Sequence, residues 1–316
     1  MSQTPIGLEP AQFLAEYWQT RPLLLAGAIP DPAFPLTPDE LAGLALEEDV
    51  ESRIVLEEGP LGPWELRVGP FAEEDFRGLP DTRWTLLVQA VDLWVPEVRS
   101  LLRHFDFLPP WRLDDIMVSY APAGGSVGPH FDHYDVFLLQ VRGHRRWQIG
   151  PACDAATPLR TDTELRILES FAPEQEWVLA PGDMLYLPPG IAHWGVALDD
   201  NMTCSIGFRS PTLAEMLGDL ATELLARGDD RYYVDPPLTP AHATSAITAD
   251  FIAQAKRLLR DALEDDALIG DWLARYMTMP KYPELFDELG DGELPPRQAT
   301  LNGITYINGQ RQDPQD

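Results

Sequence analysis

Hydrophobic positions recur along this chain in three textures. Over the first 45 residues they fall at helical spacing: "EPAQFLAEYWQTRP" sets apolar side chains three and four apart behind a proline, and "TPDELAGLAL" opens on Thr37, Pro38 and early acids, a capped helix start. From about residue 52 to 210 the apolar runs are short, β-rich and broken by Gly, Pro and Asp: "SRIVLEEGPLGPWELRVG", "DDIMVSYAPAGG", "HYDVFLLQVRGHRRWQIG", "EQEWVLAPGDMLYLPPGIAHWGVAL" and "NMTCSIGFRSP". Many short strands joined by tight turns predict a sandwich or barrel rather than alternating βαβ units.

At Ser210 the texture changes again. Ser210 is placed to cap a helix and Pro211 to occupy its first turn, and Leu213, Met216, Leu217, Leu220, Leu224 and Leu225 form one stripe. A second helical stretch is expected from about 248 to 277, carrying Phe251, Ile252, Ala255, Leu258, Leu259, Leu263, Leu268, Trp272 and Leu273. Two amphipathic helices must bury their stripes against the β body or against a second copy, and a homodimer is the expectation. In the last 36 residues "ITYINGQRQ" is a hairpin signal around Asn308-Gly309, after which the chain runs out at "DPQD", as if a small β-containing module were vestigial or cut short. The expected divisions are residues 1–209, 210–278 and 279–316.

Composition narrows the setting. With 316 residues, 45% of them hydrophobic, the chain can bury a sizeable core, and one main domain of about 200 residues with appendages is the prior. No run of about 18 apolar residues occurs and "MSQTPIGLEP" lacks an export signal, so a cytoplasmic protein outside the membrane is expected. Cys153 and Cys204 are too few for a disulfide framework and lack metal-ligand spacing. A net charge of -28, spread along the chain, disfavours nucleic-acid phosphates as partners. It fits either adaptation to a salty interior or attraction of a basic partner.

The chemistry gathers in "GPHFDHYDVFLLQVRGHRRW", residues 128–147. On a strand, His130 and Asp132 point to one face, about 7 Å apart, while Phe131 and His133 point to the other. The same alternation puts Tyr134 inward and Asp135 outward. A third ligand is offered by "APGDMLYLPPGIAHWG", in which a turn, the strand Met184 to Leu187 and a Pro-Pro-Gly turn lead to His193. Two imidazoles and a carboxylate are the facial triad of non-haem Fe(II) oxygenases, although a zinc hydrolase can use similar ligands. His144 follows Gly143 in a tight turn and is expected at the surface, and His104 and His242 have no evident partner.

Together with "AQFLAEYWQTRPLLL", "TLLVQAV", "DDIMVSYAPAGGSVG", "PGDMLYLPPGIAHWG" and "SIGFRSP", this block resembles the JmjC-type ribosomal oxygenases, among them bacterial arginine hydroxylases of a large-subunit ribosomal protein. The resemblance runs from the N-terminal helix to the helices after 210. It implies a mainly β fold with appended helices: a double-stranded β-helix holding Fe(II) through His130, Asp132 and His193, a helical dimerisation region, and a partial winged-helix-like C-terminus. It also implies 2-oxoglutarate and O₂ as co-substrates, and a basic ribosomal protein as substrate.

A basic residue on the strand after the H-x-D strand is implied to bind the distal carboxylate of 2-oxoglutarate, and the matching position is Arg145. A dicarboxylate in a closed barrel needs a fixed cation, and an arginine fork pairs with a carboxylate through two parallel bonds, with Arg142 and Arg146 as rivals. Thr203, with Ser205, adds hydroxyl contacts. The resemblance places Asp115, Met117, Tyr134 and Ser205 at the substrate, where a carboxylate and an aromatic face suit a guanidinium and its stem. Other readings stay open: the same chemistry on histidine, a cupin metal enzyme of another class, or a non-catalytic dock for basic proteins.

Overall fold

The computed structural model describes residues 7–30, 32, 34–285 and 296–312. The chain divides into two compact units, residues 1–210 and 211–316. In chain order the first unit runs α1 (Pro10–Glu16), β1 (Leu23–Leu25), α2 (Pro38–Leu44), β2 (Ser52–Gly59), β3 (Gly62–Val68), α3 (Glu73–Arg77), β4 (Trp84–Val88), α4 (Val91–Trp94), α5 (Pro96–Arg99) and β5 (Leu113–Ala121). It continues with β6 (Val136–Arg142), β7 (Arg145–Ala152), β8 (Gln175–Leu179), β9 (Met184–Leu187), β10 (Ile191–Ala197) and β11 (Asn201–Phe208). Both expected N-terminal helices form. Thr37 caps α2 by accepting from Glu40 N, while the Glu40 carboxylate accepts from Thr37 N at 2.8 Å, a reciprocal box that closes two orphan donors.

The strands make two antiparallel sheets, a large one ordered β1-β9-β6-β11-β5-β4-β2-β3 and a small one ordered β10-β7-β8. Alternation along β6 explains why "VFLL", residues 136–139, is apolar throughout. Phe137, Leu139 and Val141 enter the main core with Phe13, Phe105 and Tyr186, while Val136 and Leu138 enter a second cluster with Trp147, Ile149, Leu179, Leu185 and Leu187. That second cluster draws Val136, Leu138, Leu185 and Leu187 from the large sheet and Trp147, Ile149 and Leu179 from the small one, so it is the layer between them.

β6 and β7, joined by the tight turn at Gly143, do not pair with each other: β6 pairs with β9 and β11, and β7 with β8 and β10. The turn at Gly143 instead carries the chain from one sheet to the other. Gly143 sits at φ +61, and a Cβ there would lie 2.3 Å from Asp200 O, so glycine alone fits the corner. His144 N donates to Asp199 Oδ1 at 2.6 Å and Leu198 N to His144 O at 3.0 Å, which pins this crossing to the β10–β11 crossing beside it. His144 is exposed, as expected.

The second unit holds α6 (Leu213–Arg227), α7 (Ala249–Leu263), α8 (Asp266–Thr278) and a three-stranded sheet, β12 (Gln298–Leu301), β13 (Ile304–Ile307) and β14 (Gln310–Gln312). Thr212, not Ser210, caps α6, through a capping box with Glu215. The single stretch expected over 248–277 is two helices, because Asp265 accepts from Leu268 N at 3.0 Å and starts α8 afresh. Asn308-Gly309 turns β13 into β14 with both residues at positive φ, and Asn302-Gly303 does the same between β12 and β13, a second turn of that kind. His242 has a partner after all: its Nε2 meets Asp250 Oδ2 at 2.7 Å. Residues 313–316, where the chain was expected to run out, lie outside those described.

Candidate metal and co-substrate site

The H-x-D segment is not a strand. His130 alone makes ladder contact, an isolated antiparallel bridge in which His130 N donates to His193 O at 3.0 Å and His193 N to His130 O at 2.8 Å. The backbone is extended enough to keep the expected alternation for the first residues: Phe131 is buried in an apolar cluster and His133 is exposed. The Pro-Pro-Gly turn is tied to the same segment, because Gly190 N donates to Asp132 O at 2.7 Å. These backbone bonds explain why H-x-D and the block ending in His193 work as a pair although about 60 residues separate them.

His130, Asp132 and His193 each offer one ligand atom, all within 4.8 Å of one another. His193 Nε2 stands 3.6 Å from Asp132 Oδ2, and the two imidazole centroids are 4.3 Å apart. Both rings make the same bond at their other nitrogen. His130 Nδ1 lies 2.9 Å from Gly128 O and His193 Nδ1 lies 2.9 Å from Ile191 O. A carbonyl can only accept, so each Nδ1 carries the proton and each Nε2 presents a lone pair to the shared centre. Burial, and next the neighbouring His130, push His193 down to about 4, so it is neutral, the form that ligates, at ordinary pH. The donor set thus fits a divalent metal of the iron type.

Arg145 opens β7 and is 3% exposed. Burial pushes its guanidinium down to about 10, still charged at neutral pH. Nη2 donates to Gly195 O at 3.2 Å and the group lies 5.0 Å from the Trp147 ring centroid, while Nε and Nη1 are buried without a hydrogen-bond partner among the described residues. A buried cation with two unmet donors is costly on its own and suits a carboxylate brought by a ligand. Among the rivals, Arg142 is exposed and Arg146 half-buried, and neither lines the cavity.

One cavity joins Met117, His130, Asp132, Tyr134, Arg145, His193, Thr203 and Ser205. Asp115, the remaining residue of the expected set, is outside its lining. It is 6% exposed, two residues before Met117 on β5, and its Oδ2 accepts from Gln89 Nε2 at 2.7 Å. Tyr134 is 40% exposed and hydrogen-bonds Asp132; that neighbouring carboxylate, with burial, raises its phenol pKa. Thr203 Oγ1 donates to Gln140 Oε1 at 3.1 Å.

The lining also includes Leu87, Ser119, Val127, Val136, Leu138 and Trp147, which the sequence reading missed. Stepping by two from Met117 and from Arg145 reaches Ser119 and Trp147, so alternation contained that signal. Asp135 is a correction. Expected to face outward, it is 0% exposed: the far side of its segment is covered by the N-terminal region, not water. It accepts from Tyr186 Oη at 2.6 Å and from Gln19 Nε2 at 3.0 Å, with Arg112 Nη2 at 3.5 Å.

A facial triad beside a buried cation, between two β-sheets, defines a non-haem iron oxygenase. The comparisons with known proteins narrow this class. A JmjC domain model matches residues 100–216. The ribosomal protein uL16 3-hydroxylase of Escherichia coli (strain K12) is 34% identical, over 95% of this chain and 84% of that protein. A probable ribosomal oxygenase of Haemophilus influenzae is 37% identical, over 91% and 73%. The solved structure of YcfD, a ribosomal oxygenase from Escherichia coli, in complex with cobalt and 2-oxoglutarate, superposes with a TM-score of 0.82 at 32% identity, covering 98% of this chain and 86% of that one. The chain belongs to the JmjC-type ribosomal oxygenases, Fe(II)- and 2-oxoglutarate-dependent enzymes.

Proposed function

We propose that this enzyme hydroxylates an arginine side chain of a basic ribosomal protein, with O₂ consumed and succinate and CO₂ released. The observation that carries the reading is the shared cavity, in which the His130, Asp132 and His193 ligand atoms lie with the buried Arg145 guanidinium and with Met117, Tyr134 and Ser205. Iron bound by the three ligands would supply the oxidising power that places a hydroxyl on an unactivated carbon. The chain's own residues do the rest. Arg145 holds the distal carboxylate of 2-oxoglutarate through charge-assisted bonds from its guanidinium, and Thr203 borders that co-substrate. Met117, Tyr134 and Ser205 line the approach, and Asp115, kept in place by Gln89, meets the substrate guanidinium as it enters. The apolar walls Leu87, Val127, Val136 and Leu138 keep the reacting carbon out of water.

The net charge of -28 favours capture of a basic protein at low ionic strength. A ribosomal-protein substrate puts the reaction in the cytoplasm, and among the described residues no helix is long and apolar enough to cross a membrane. A homodimer is part of the reading: α6 and α7 expose Leu213, Leu217, Leu225, Ile252, Leu259 and Leu263, an apolar surface suited to a second copy. The 1–209 body is read as the catalytic domain, 210–278 as the dimerisation region and 279–316 as the short winged-helix-like module.

The deciding experiment compares ribosomal proteins from wild-type and His130→Ala cells by mass spectrometry. One extra oxygen on one arginine, absent in the variant, is the expected result; identical masses for every ribosomal protein would sink the substrate assignment.

A further inference from the structure

The two metal-ligand imidazoles make matching bonds to carbonyls two residues back, but those carbonyls are held differently. Ile191 O belongs to β10, in which Ile191 pairs with Ala152 of β7. Gly128 O belongs to a stretch between β5 and β6 that lies in no named strand. Something else must hold it, because a backbone carbonyl that drifts takes the His130 ring orientation with it.

The structure supplies that support from a hydroxyl. Ser126 is 1% exposed, and its Oγ accepts two hydrogen bonds, from Gly128 N at 3.0 Å and from Trp194 Nε1 at 2.8 Å. Trp194 directly follows His193, so one oxygen joins the segment of one ligand to the strand of the other. Ile167 also packs on Gly128, whose φ of +82 and lack of a Cβ permit the approach; a Cβ there would lie 2.7 Å from Ile167 Cδ1. Leu168 N then donates to Pro129 O at 2.8 Å.

We propose that Ser126 is a positioning residue for the metal centre: by holding Gly128 N and Trp194 Nε1 on one oxygen, it fixes the Gly128 carbonyl that orients His130 Nε2. This rests on the metal reading above and assigns to Ser126 a part in it. Outer partners of metal-bound histidines of this kind change metal affinity by about 10- to 100-fold when removed.

The test is Co(II) titration of the metal-free full-length protein, followed by visible absorption, with thermal melting of each metal-free variant as the fold control. Ser126→Ala is expected to stay folded and to bind Co(II) about 10-fold or more weakly. Trp194→Phe, which removes one donor, is expected to weaken binding in the same direction. The double variant is expected to be no weaker than Ser126→Ala, since both changes act through the same oxygen. A folded Ser126→Ala protein with wild-type affinity overturns the proposal, as does additivity in the double variant. Should Ser126→Ala not fold, wild-type affinity in Trp194→Phe overturns it. Failure of the wild-type protein to bind Co(II) is a different result, one that removes the metal reading itself and this proposal with it.

Discussion

The Tyr186 hydroxyl donates to Asp135 Oδ1 across 2.6 Å, and both groups are fully buried. Tyr186 belongs to β9, Asp135 precedes β6, and the same phenol oxygen accepts from Gln19 N at 2.7 Å, so the N-terminal segment is bolted to the chain three residues beyond Asp132. Removing the carboxylate strands the Arg112 charge and the Gln19 and Tyr186 donors. Asp135→Ala should therefore cost about 3–5 kcal/mol, and Tyr186→Phe, which deletes one bond to a charged group and the bond from Gln19 N, about 2–4 kcal/mol. Urea denaturation of both variants checks the order; equal costs would mean that Arg112 and Gln19 contribute little.

Arg145 should be separable from the metal ligands by its effect on the co-substrate. Arg145→Ala removes the buried cation, and a loss of at least ~2 kcal/mol is expected, a rise in the KM for 2-oxoglutarate of about thirtyfold or more. Arg145→Lys keeps the charge but not the fork, so it should recover only part of the affinity. Steady-state kinetics at saturating Fe(II) reads both, and a lysine variant equal to wild type would count against two-bond recognition.

Asp115 should show the complementary behaviour. It lies outside the cavity lining, so Asp115→Ala should leave 2-oxoglutarate affinity unchanged while lowering turnover of an arginine peptide by about 10- to 100-fold, the equivalent of one charged hydrogen bond. A parallel loss in both measurements would place Asp115 in the structural frame instead.

His193 gives the metal-free protein a pH dependence. Burial, then His130, lowers its pKa to about 4 against an ordinary value near 6.5, so below pH 6.5 the unfolded chain takes up a proton that the folded one refuses. Stability is then lost as pH falls from 6.5 toward 4, by up to about 3 kcal/mol from this group. The difference between wild type and His193→Asn in denaturation series across that range isolates the contribution, and parallel curves would disprove it.

Much of this was legible from residue order, and the exceptions share a cause. Alternation placed His130 and Asp132 together and turned Phe131 and His133 away, because side-chain direction is a local property of an extended backbone, while Arg145 came from the family resemblance. It misjudged Asp135, because whether the far face of a strand meets water or another layer depends on which distant segment covers it, here the one carrying Gln19. The same limit hid the crossing at Gly143. A glycine in a tight turn looks alike whether the chain returns along its own sheet or passes to the facing one, and the Asp199 side chain that receives His144 N is 55 residues away in sequence. Asp265 was lost differently: an acid inside an amphipathic run reads as helix surface until its carboxylate is seen on Leu268 N.

The passage of the chain between sheets at Gly143 has a consequence for how the enzyme can change. Arg145 and His193 stand on the small sheet and Met117, Thr203 and Ser205 on the large one, so the two halves of the site are held apart by the layer of Val136, Leu138, Ile149, Leu179, Leu185 and Leu187. That layer acts as a spacer of fixed thickness. A change such as Leu185→Ala, expected to cost about 2–5 kcal/mol, alters the gauge of the reaction chamber as well as its stability. Adjusting the grip on the co-substrate thus runs through the same side chains that keep the protein folded, and volume-matched exchanges among them are the open route.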